Sequence, residues 1–312
     1  MQYEIPDRLK KLYKHWEYHT ILPVAQSTNT ETQQVKKTLD TVTLNEMQYF
    51  IRERMRIWQN KQASTFPLTS DPILSQYRFC NVYRELDRQT IALHDTLSHL
   101  RDDFTLWLLN MLFCRMVCRP ETISYVGLLS LSHSKNDQVF KKLEQMSRPK
   151  YGTAYVFPIS VIQKSDFPTR ELFFTRYLPQ VIEDCSVKLV SQKRVSVVHA
   201  LNEVISVFGY NFFFHWTEVL IDVAYQFPEY IDLYKEFPIG PGSAPTMKLL
   251  SPNNDPVNTC TMLPQVKIDQ NDLLHWNGKP IYLSTENWEG VGCETRKYRN
   301  IKSGGGRVRK YS

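Results

Sequence analysis

Residues 71–90 read DPILSQYRFCNVYRELDRQT, and the rest of the chain is most easily read around them. Phe79, Val82, Tyr83 and Leu86 recur at helical spacing, while Asn81, Arg84, Glu85 and Arg88 fall on another face. Asp71 followed by Pro72 is a helix start, because an Asp side chain accepts from free backbone N–H groups and proline tolerates the first helical position. The pattern predicts a helix with one packing face and one face of hydrogen-bonding groups. In residues 1–25, Leu9, Leu12, Tyr13 and Trp16 alternate with basic residues, predicting an amphipathic helix that docks on the body. Residues 43–62 predict a charged helix with Met47, Phe50, Ile51, Met55 and Trp58 inward and Arg52, Glu53, Arg54 and Arg56 outward. Residues 104–119 are apolar nearly all round and predict a central buried helix. Residues 201–225 predict a helix that ends at Gly209 and a second that starts within two residues, a helix-hairpin-helix outline. Residues 165–190 predict connecting helices. Residues 27–35 predict a polar loop, and 251–280 a loop with one short helix near Leu273 to Trp276.

Glycine content supports this helical reading. Of 11 glycines, only Gly127, Gly152 and Gly209 precede position 240, too few to punctuate many hairpins. The expected fold is all-α with few or no strands. Six cysteines without a CxxC pair point to a reducing compartment. No apolar run is long enough to cross a bilayer, and the charged start MQYEIPDRLKK lacks a signal-peptide core, so no membrane role is expected. An intracellular protein follows, nuclear in a eukaryote and cytoplasmic in a bacterium or phage. Net charge is +6, and residues 295–312 alone carry seven basic residues and no acid. Such a tail suits a polyanion such as DNA, or is simply a solvated end.

Several polar groups stand out against their apolar surroundings. His215, Glu218 and Asp222 lie on one stripe of an aromatic-rich helix, where a half-buried carboxylate beside a histidine is a general-base arrangement or a bonded structural pair. Asn110 and Arg115 interrupt the most apolar helix and must be hydrogen-bonded there. Tyr155 either stacks on a base or fills the core. The Gly240-Pro241-Gly242 turn offers backbone N–H groups to a phosphate. Glu294 and Lys297 are spaced for an ion pair at i, i+3.

These segments resemble, in order, motifs of the 5-hydroxymethyl-deoxyuridine DNA kinase helical-domain family and its relatives, the alpha-glutamyl/putrescinyl thymine pyrophosphorylases or amino acid:DNA transferases. The similar stretches are Glu53-Arg54 with Ile57, the DPIL and FCNVYRELDR run, Asn110 with Arg115 and Arg119-Pro120-Glu121-Thr122, GTAYV at 152–156, Gly209 with Phe212, Asp222 and Tyr225, the GPG turn, and Cys293-Glu294 with Lys297-Tyr298. Val223 stands where the family has leucine, Ala244-Pro245 follows the GPG turn in place of a basic residue and glycine, and Gly290, Gly292 and Thr295 suggest a loosened start to the last helix.

The resemblance implies a helical DNA-glycosylase-like body acting on a flipped, hypermodified pyrimidine. It implies residues 46–298 as a DNA-base-processing domain, with a helical extension at 1–45 and a basic flexible tail at 299–312. The first reading is transfer of an amine or amino acid onto an activated 5-hydroxymethyl group with loss of pyrophosphate; the alternatives are a glycosylase and a non-catalytic reader. Asp222, Glu294 and Glu85 are the catalytic candidates. Asn81, Arg84, Arg88, Asn110, Arg115, Arg119, Tyr155, His215, Gly240, Gly242 and Lys297 are the candidates for binding DNA and substrate, and a cleft is expected between the FCNVYRE helix and the 209–225 hairpin. The expected partners are double-stranded DNA with modified pyrimidines and a separate DNA kinase. No GxxxxGK[ST] loop occurs, which argues against kinase activity in the chain itself. No cofactor is implied, and without HExxH, CxxC or a paired-histidine motif no metal is expected.

Overall fold

The computed structural model describes residues 2–21 and 39–305. The predicted loop at 27–35 and the last basic residues, Arg307, Arg309 and Lys310, lie outside them. The chain forms two compact units: Met1–Asp87 with Leu233–Ser312, and Arg88–Asp232. As expected, the architecture is mostly helical.

In the first unit, the helix Thr41–Gln62 is capped by Asp40, whose carboxylate accepts from the Thr43 N–H at 2.7 Å. It packs against Thr285–Lys302 and Ala244–Leu250. Thr285–Lys302 starts firmly despite its glycines, because Ser284 and Asn287 form a reciprocal capping box. The expected loosened start is therefore absent. Gly292 is what allows the Ala244–Leu250 helix to come close: a Cβ there would lie 2.5 Å from Ser243 Oγ and 2.6 Å from Met247 Cε.

The predicted helix over 71–90 is the main departure. Asp71 does cap, accepting from the Ile73 and Leu74 N–H groups at 2.8 Å, but only turns follow, then one 3-10 turn, Arg84–Leu86. A regular helix, Arg88–Thr96, begins only in the second unit. The 78–81 backbone is held instead by side chains from both long helices. Arg54, nearly fully buried, donates to the carbonyls of Phe79 and Cys80 at 3.1 Å and to Asn81 Oδ1 at 3.2 Å. Glu294 accepts from the Cys80 N–H at 3.1 Å, and Lys297 donates to the Arg78 carbonyl. Glu53 is buried too, accepting from Thr69 Oγ1 at 2.8 Å. So Glu53 and Arg54 do not face outward: 71–87 lacks a helical hydrogen-bond ladder of its own, and Arg54 satisfies part of its polar backbone while Glu53 holds Thr69 just before it.

The short helix expected near Leu273 to Trp276 is a strand. Tyr3–Glu4 (β1) pairs in parallel with Leu274–Trp276 (β2), and β2 pairs antiparallel with Lys279–Pro280 (β3). Asn277 and Gly278, both at positive φ, make the two-residue turn between β2 and β3, the strongest hairpin dipeptide there is. The N-terminal helix is short, Asp7–Leu12, and is followed by the 3-10 helix Trp16–Thr20.

In the second unit, Phe104–Val117 is the central helix expected, with every residue from Trp107 to Val117 buried. Leu178–Val190 and Phe213–Gln226 pack against it. Val197–Phe208 ends at Gly209, whose φ of 77° is the left-handed cap anticipated from glycine. The next helix begins at Phe213, after a slightly longer turn than expected. Beneath this turn, Phe157, Phe173, Phe208, Phe212 and Trp216 meet edge-on and tilted with ring centroids 5.0–6.2 Å apart.

Candidate functional site

The polar centre of the second unit is a buried ion pair on the central helix. The guanidinium of Arg115 donates to both Asp222 oxygens, Nε to Oδ2 at 2.7 Å and Nη2 to Oδ1 at 2.6 Å. Both side chains are buried, and both come from apolar helices that would reject an unpaired charge. His94 adds a third contact, its Nε2 lying 3.0 Å from Asp222 Oδ1. Gln226 Nε2 donates to His94 Nδ1 at 2.9 Å, which leaves the His94 proton on Nε2, pointed at Asp222. Burial lowers the His94 pKa against the opposing pull of Asp222, in keeping with a neutral ring.

From this pair a hydrogen-bonded chain runs outward. Arg115 Nη1 reaches Tyr155 Oη at 3.5 Å, and that hydroxyl donates to Glu218 at 2.8 Å. Tyr155 and Glu218 are half-buried, and the rings of Tyr155 and Phe214 lie 5.3 Å apart. Phe213 and Phe214 are 45% and 53% exposed, an unusual state for two phenylalanines at a helix start. The stripe predicted from spacing therefore exists, and its three members differ: Asp222 is sealed in, Glu218 reaches the surface, and His215 is buried among aromatic rings. Burial, with a smaller push from Arg170, lowers the His215 pKa to about 4.

Asn110 and Arg119 sit apart from this chain of contacts. Asn110 zips its helix to the following loop, donating to the Leu129 carbonyl at 3.0 Å and accepting from its N–H at 2.7 Å. Arg119 donates to the Pro149 carbonyl and pairs with Glu121 at 3.4 Å. Arg88 opens its helix at an exposed position.

The first unit holds the remaining candidates. Glu294 and Lys297 converge on the 78–81 backbone, Asn81 Oδ1 accepts from Arg54, and Lys297 Nζ lies 4.5 Å from the centre of the Phe79 ring. Asp87 accepts from both Asn81 nitrogens, at 2.7 Å from Nδ2 and 3.3 Å from the backbone, and burial raises its pKa to about 6 with Arg84 pulling the other way. Arg84 is half-buried in the 3-10 turn. Glu85 faces elsewhere, 2.7 Å from His15 Nε2. Asp71 accepts from the hydroxyls of Tyr49 and Tyr298 at 2.8 and 2.7 Å. Burial works against its charge, but these and its two backbone hydrogen bonds outweigh it and hold its carboxyl below the usual range. At the GPG turn, the Gly240 N–H donates to Glu289 at 3.2 Å and the Pro241 carbonyl accepts from Arg296. A Cβ on Gly242 would lie 2.5 Å from Cys293 Sγ, so this glycine serves the turn's approach to the last helix. The side chains expected to share one cleft thus belong to two different units.

Two residue groups escape a reading by period and motif. Arg54 and Glu53 carry the signature segment, and their only signal was the Glu53-Arg54-x-x-Ile57 pattern. Asp87 and His94 lie within or beside the signature but offer no distinguishing spacing.

Residues 41–304 match the family described as 5-hmdU DNA kinase, helical domain. The chain belongs to this family. A 5-hmdU DNA kinase of Bacillus phage SP10 is 39% identical over 89 residues, 26% of this chain and 14% of that protein. The match therefore spans about a seventh of the phage enzyme's length. No solved structure matches.

These findings overturn the first functional expectation. Amine transfer, base excision and non-catalytic reading all give way to a kinase family, and with amine transfer goes the need for a separate kinase to activate its substrate. The inference against kinase activity also fails. A GxxxxGK[ST] loop is one way to hold a triphosphate, and its absence from this sequence removes that loop alone.

Proposed function

We propose that this chain serves the phosphorylation of 5-hydroxymethyluracil in DNA, its helical part handling the DNA base. The observation that carries this reading is the family match over residues 41–304, in support of which stands the name of the phage relative. In such a reaction the hydroxymethyl oxygen bonds to the γ-phosphorus of a nucleoside triphosphate, the bond from that phosphorus to the β-bridging oxygen breaks, and the hydroxyl proton passes to a base.

The second unit supplies groups suited to the acceptor side. Phe214 and Tyr155 offer exposed and half-exposed aromatic faces for an unstacked pyrimidine. Glu218 is the surface-reaching carboxylate of the stripe, oriented by the Tyr155 hydroxyl, and takes the hydroxymethyl proton. Asp222 positions Arg115, and through it Tyr155, without meeting substrate. These 312 residues hold no Walker loop, and their basic residues at 295–312 add sequence-independent attraction to phosphates.

The test is incubation of the chain with a duplex containing 5-hydroxymethyluracil, ATP and Mg²⁺, followed by nucleoside mass spectrometry and a parallel binding titration. A phosphomonoester on the base, or tighter binding than to the thymine duplex, supports the reading. Glu218→Gln should abolish phosphorylation while leaving binding intact. No phosphorylated base together with equal binding of both duplexes would sink it.

A further inference from the structure

A second cluster of chemistry-bearing side chains lies in the first unit and takes up Glu85, which the proposed phosphorylation does not use. His15, His19 and Glu85 each offer a donor atom, and these atoms lie within 4.8 Å of one another. All three are buried, at 0%, 6% and 1% exposure. His15 caps the 3-10 helix Trp16–Thr20 and His19 lies in its last turn, which brings their rings to 4.7 Å between centroids, nearly perpendicular. Glu85 comes from the 3-10 turn of the FCNVYRE segment, seventy residues on.

The surroundings fix these side chains in place. Tyr13 Oη donates to the Glu85 carbonyl at 3.0 Å, and the Trp16 ring lies 4.4 Å from His15. The Tyr234 ring meets His19 edge-on at 4.8 Å, and the His19 carbonyl accepts from the Tyr282 N–H at 3.0 Å. A carboxylate and two imidazoles gathered away from water carry net negative charge when the rings are neutral, which a dication offsets. Two nitrogens and one carboxylate oxygen are the donor set of zinc and its first-row neighbours, whereas Mg²⁺ and Ca²⁺ prefer oxygen alone.

We propose that His15, His19 and Glu85 bind a transition-metal dication, with Zn²⁺ the best fit, and that the ion ties the N-terminal segment to the signature segment. Two of the three ligands lie before residue 41, outside the stretch matched to the family, so the tie is a feature of this chain's own N-terminal segment. His15 Nε2 and Glu85 Oε1 now stand 2.7 Å apart. Zinc bonds of about 2.0–2.1 Å in tetrahedral geometry set donors about 3.3 Å apart, so the pair opens by about half an ångström on binding. The remaining coordination position falls to water.

The full chain, prepared without a histidine tag and stripped with a chelator, is titrated with ZnCl₂ by calorimetry, and its thermal unfolding is followed with and without the metal. One ion per chain at submicromolar affinity, a raised Tm, and affinity weakened at least about tenfold in His19→Gln support the site. Absence of binding by the wild-type chain, or unchanged stoichiometry and affinity in both His19→Gln and Glu85→Gln, overturns it. Should these variants fail to fold, X-ray absorption at the zinc edge of the loaded wild-type protein decides. Two imidazoles with oxygen donors sustain the proposal, and any thiolate ligand overturns it. Equal stabilisation by Mg²⁺ alone would also overturn the assignment to a transition metal.

Discussion

At the scale of single residues, the decisive fact is that Asp222 and Glu218, one helical turn apart, live in different media. Asp222 has both oxygens committed to Arg115 and His94 and no exposure, so its work is to keep a guanidinium charged and fixed inside an apolar helix bundle. Asp222→Asn would strand that charge and should cost about 3–5 kcal/mol in chemical denaturation, with the Tyr155 to Glu218 contact loosened as well. His215 gives a different signature. Its folded pKa of about 4 lies below the ordinary 6.5, so the unfolded chain takes up a proton first as pH falls. The stability it contributes is whole above about pH 6.5 and is lost progressively toward pH 4, by up to about 3 kcal/mol. In His215→Phe that loss should vanish, seen as a flatter denaturation midpoint across this window relative to wild type. Comparison with the variant cancels Asp87, whose raised pKa tilts stability the opposite way between its ordinary value and about 6.

At the scale of elements, hydrophobic period served well where a segment satisfies its own backbone and failed where it does not. The central helix, the helix Thr41–Gln62 and the Gly209 cap were legible from spacing and from glycine chemistry, whereas Thr285–Lys302 was visible only through the family resemblance. The FCNVYRE run was not, because its 3.6-residue pattern of apolar side chains coexists with a backbone whose partners come from Arg54, Glu294 and Lys297, some 25 to 219 residues away. The 274–280 hairpin was missed although Asn277-Gly278 announced it; a three-residue strand leaves too short an alternation to register. Gly152 shows how a conformationally ordinary glycine can still be indispensable. Its N–H donates to the Val117 carbonyl, and a Cβ would lie 1.9 Å from the Cys118 carbonyl oxygen. Since the obstacle is backbone, Gly152→Ala should lower unfolding free energy by about 3 kcal/mol or more, measurable as an earlier urea midpoint.

At the scale of the whole molecule, charge and motif order pointed to DNA and to the family, while the reaction within that family lay beyond the sequence reading. The absence of a GxxxxGK[ST] loop does not exclude a kinase, because catalysis of phosphoryl transfer is mostly positioning and electrostatics, which many loops and helix ends can provide. The polar groups that a single motif scan gathers into one imagined cleft are divided between a continuous unit and a discontinuous one. Among the described helices, none is long and apolar enough to cross a membrane.

The pairing of Tyr3–Glu4 with Leu274–Trp276 joins stretches some 270 residues apart in the chain. During synthesis, Arg88–Asp232 leaves the ribosome as an uninterrupted piece that already contains its own core, whereas the segment before it awaits partners translated after residue 232. Early arrest of translation should therefore yield a folded middle flanked by a protease-sensitive leader, and a bulky fusion placed ahead of Tyr3 would crowd the last strand pairing to form.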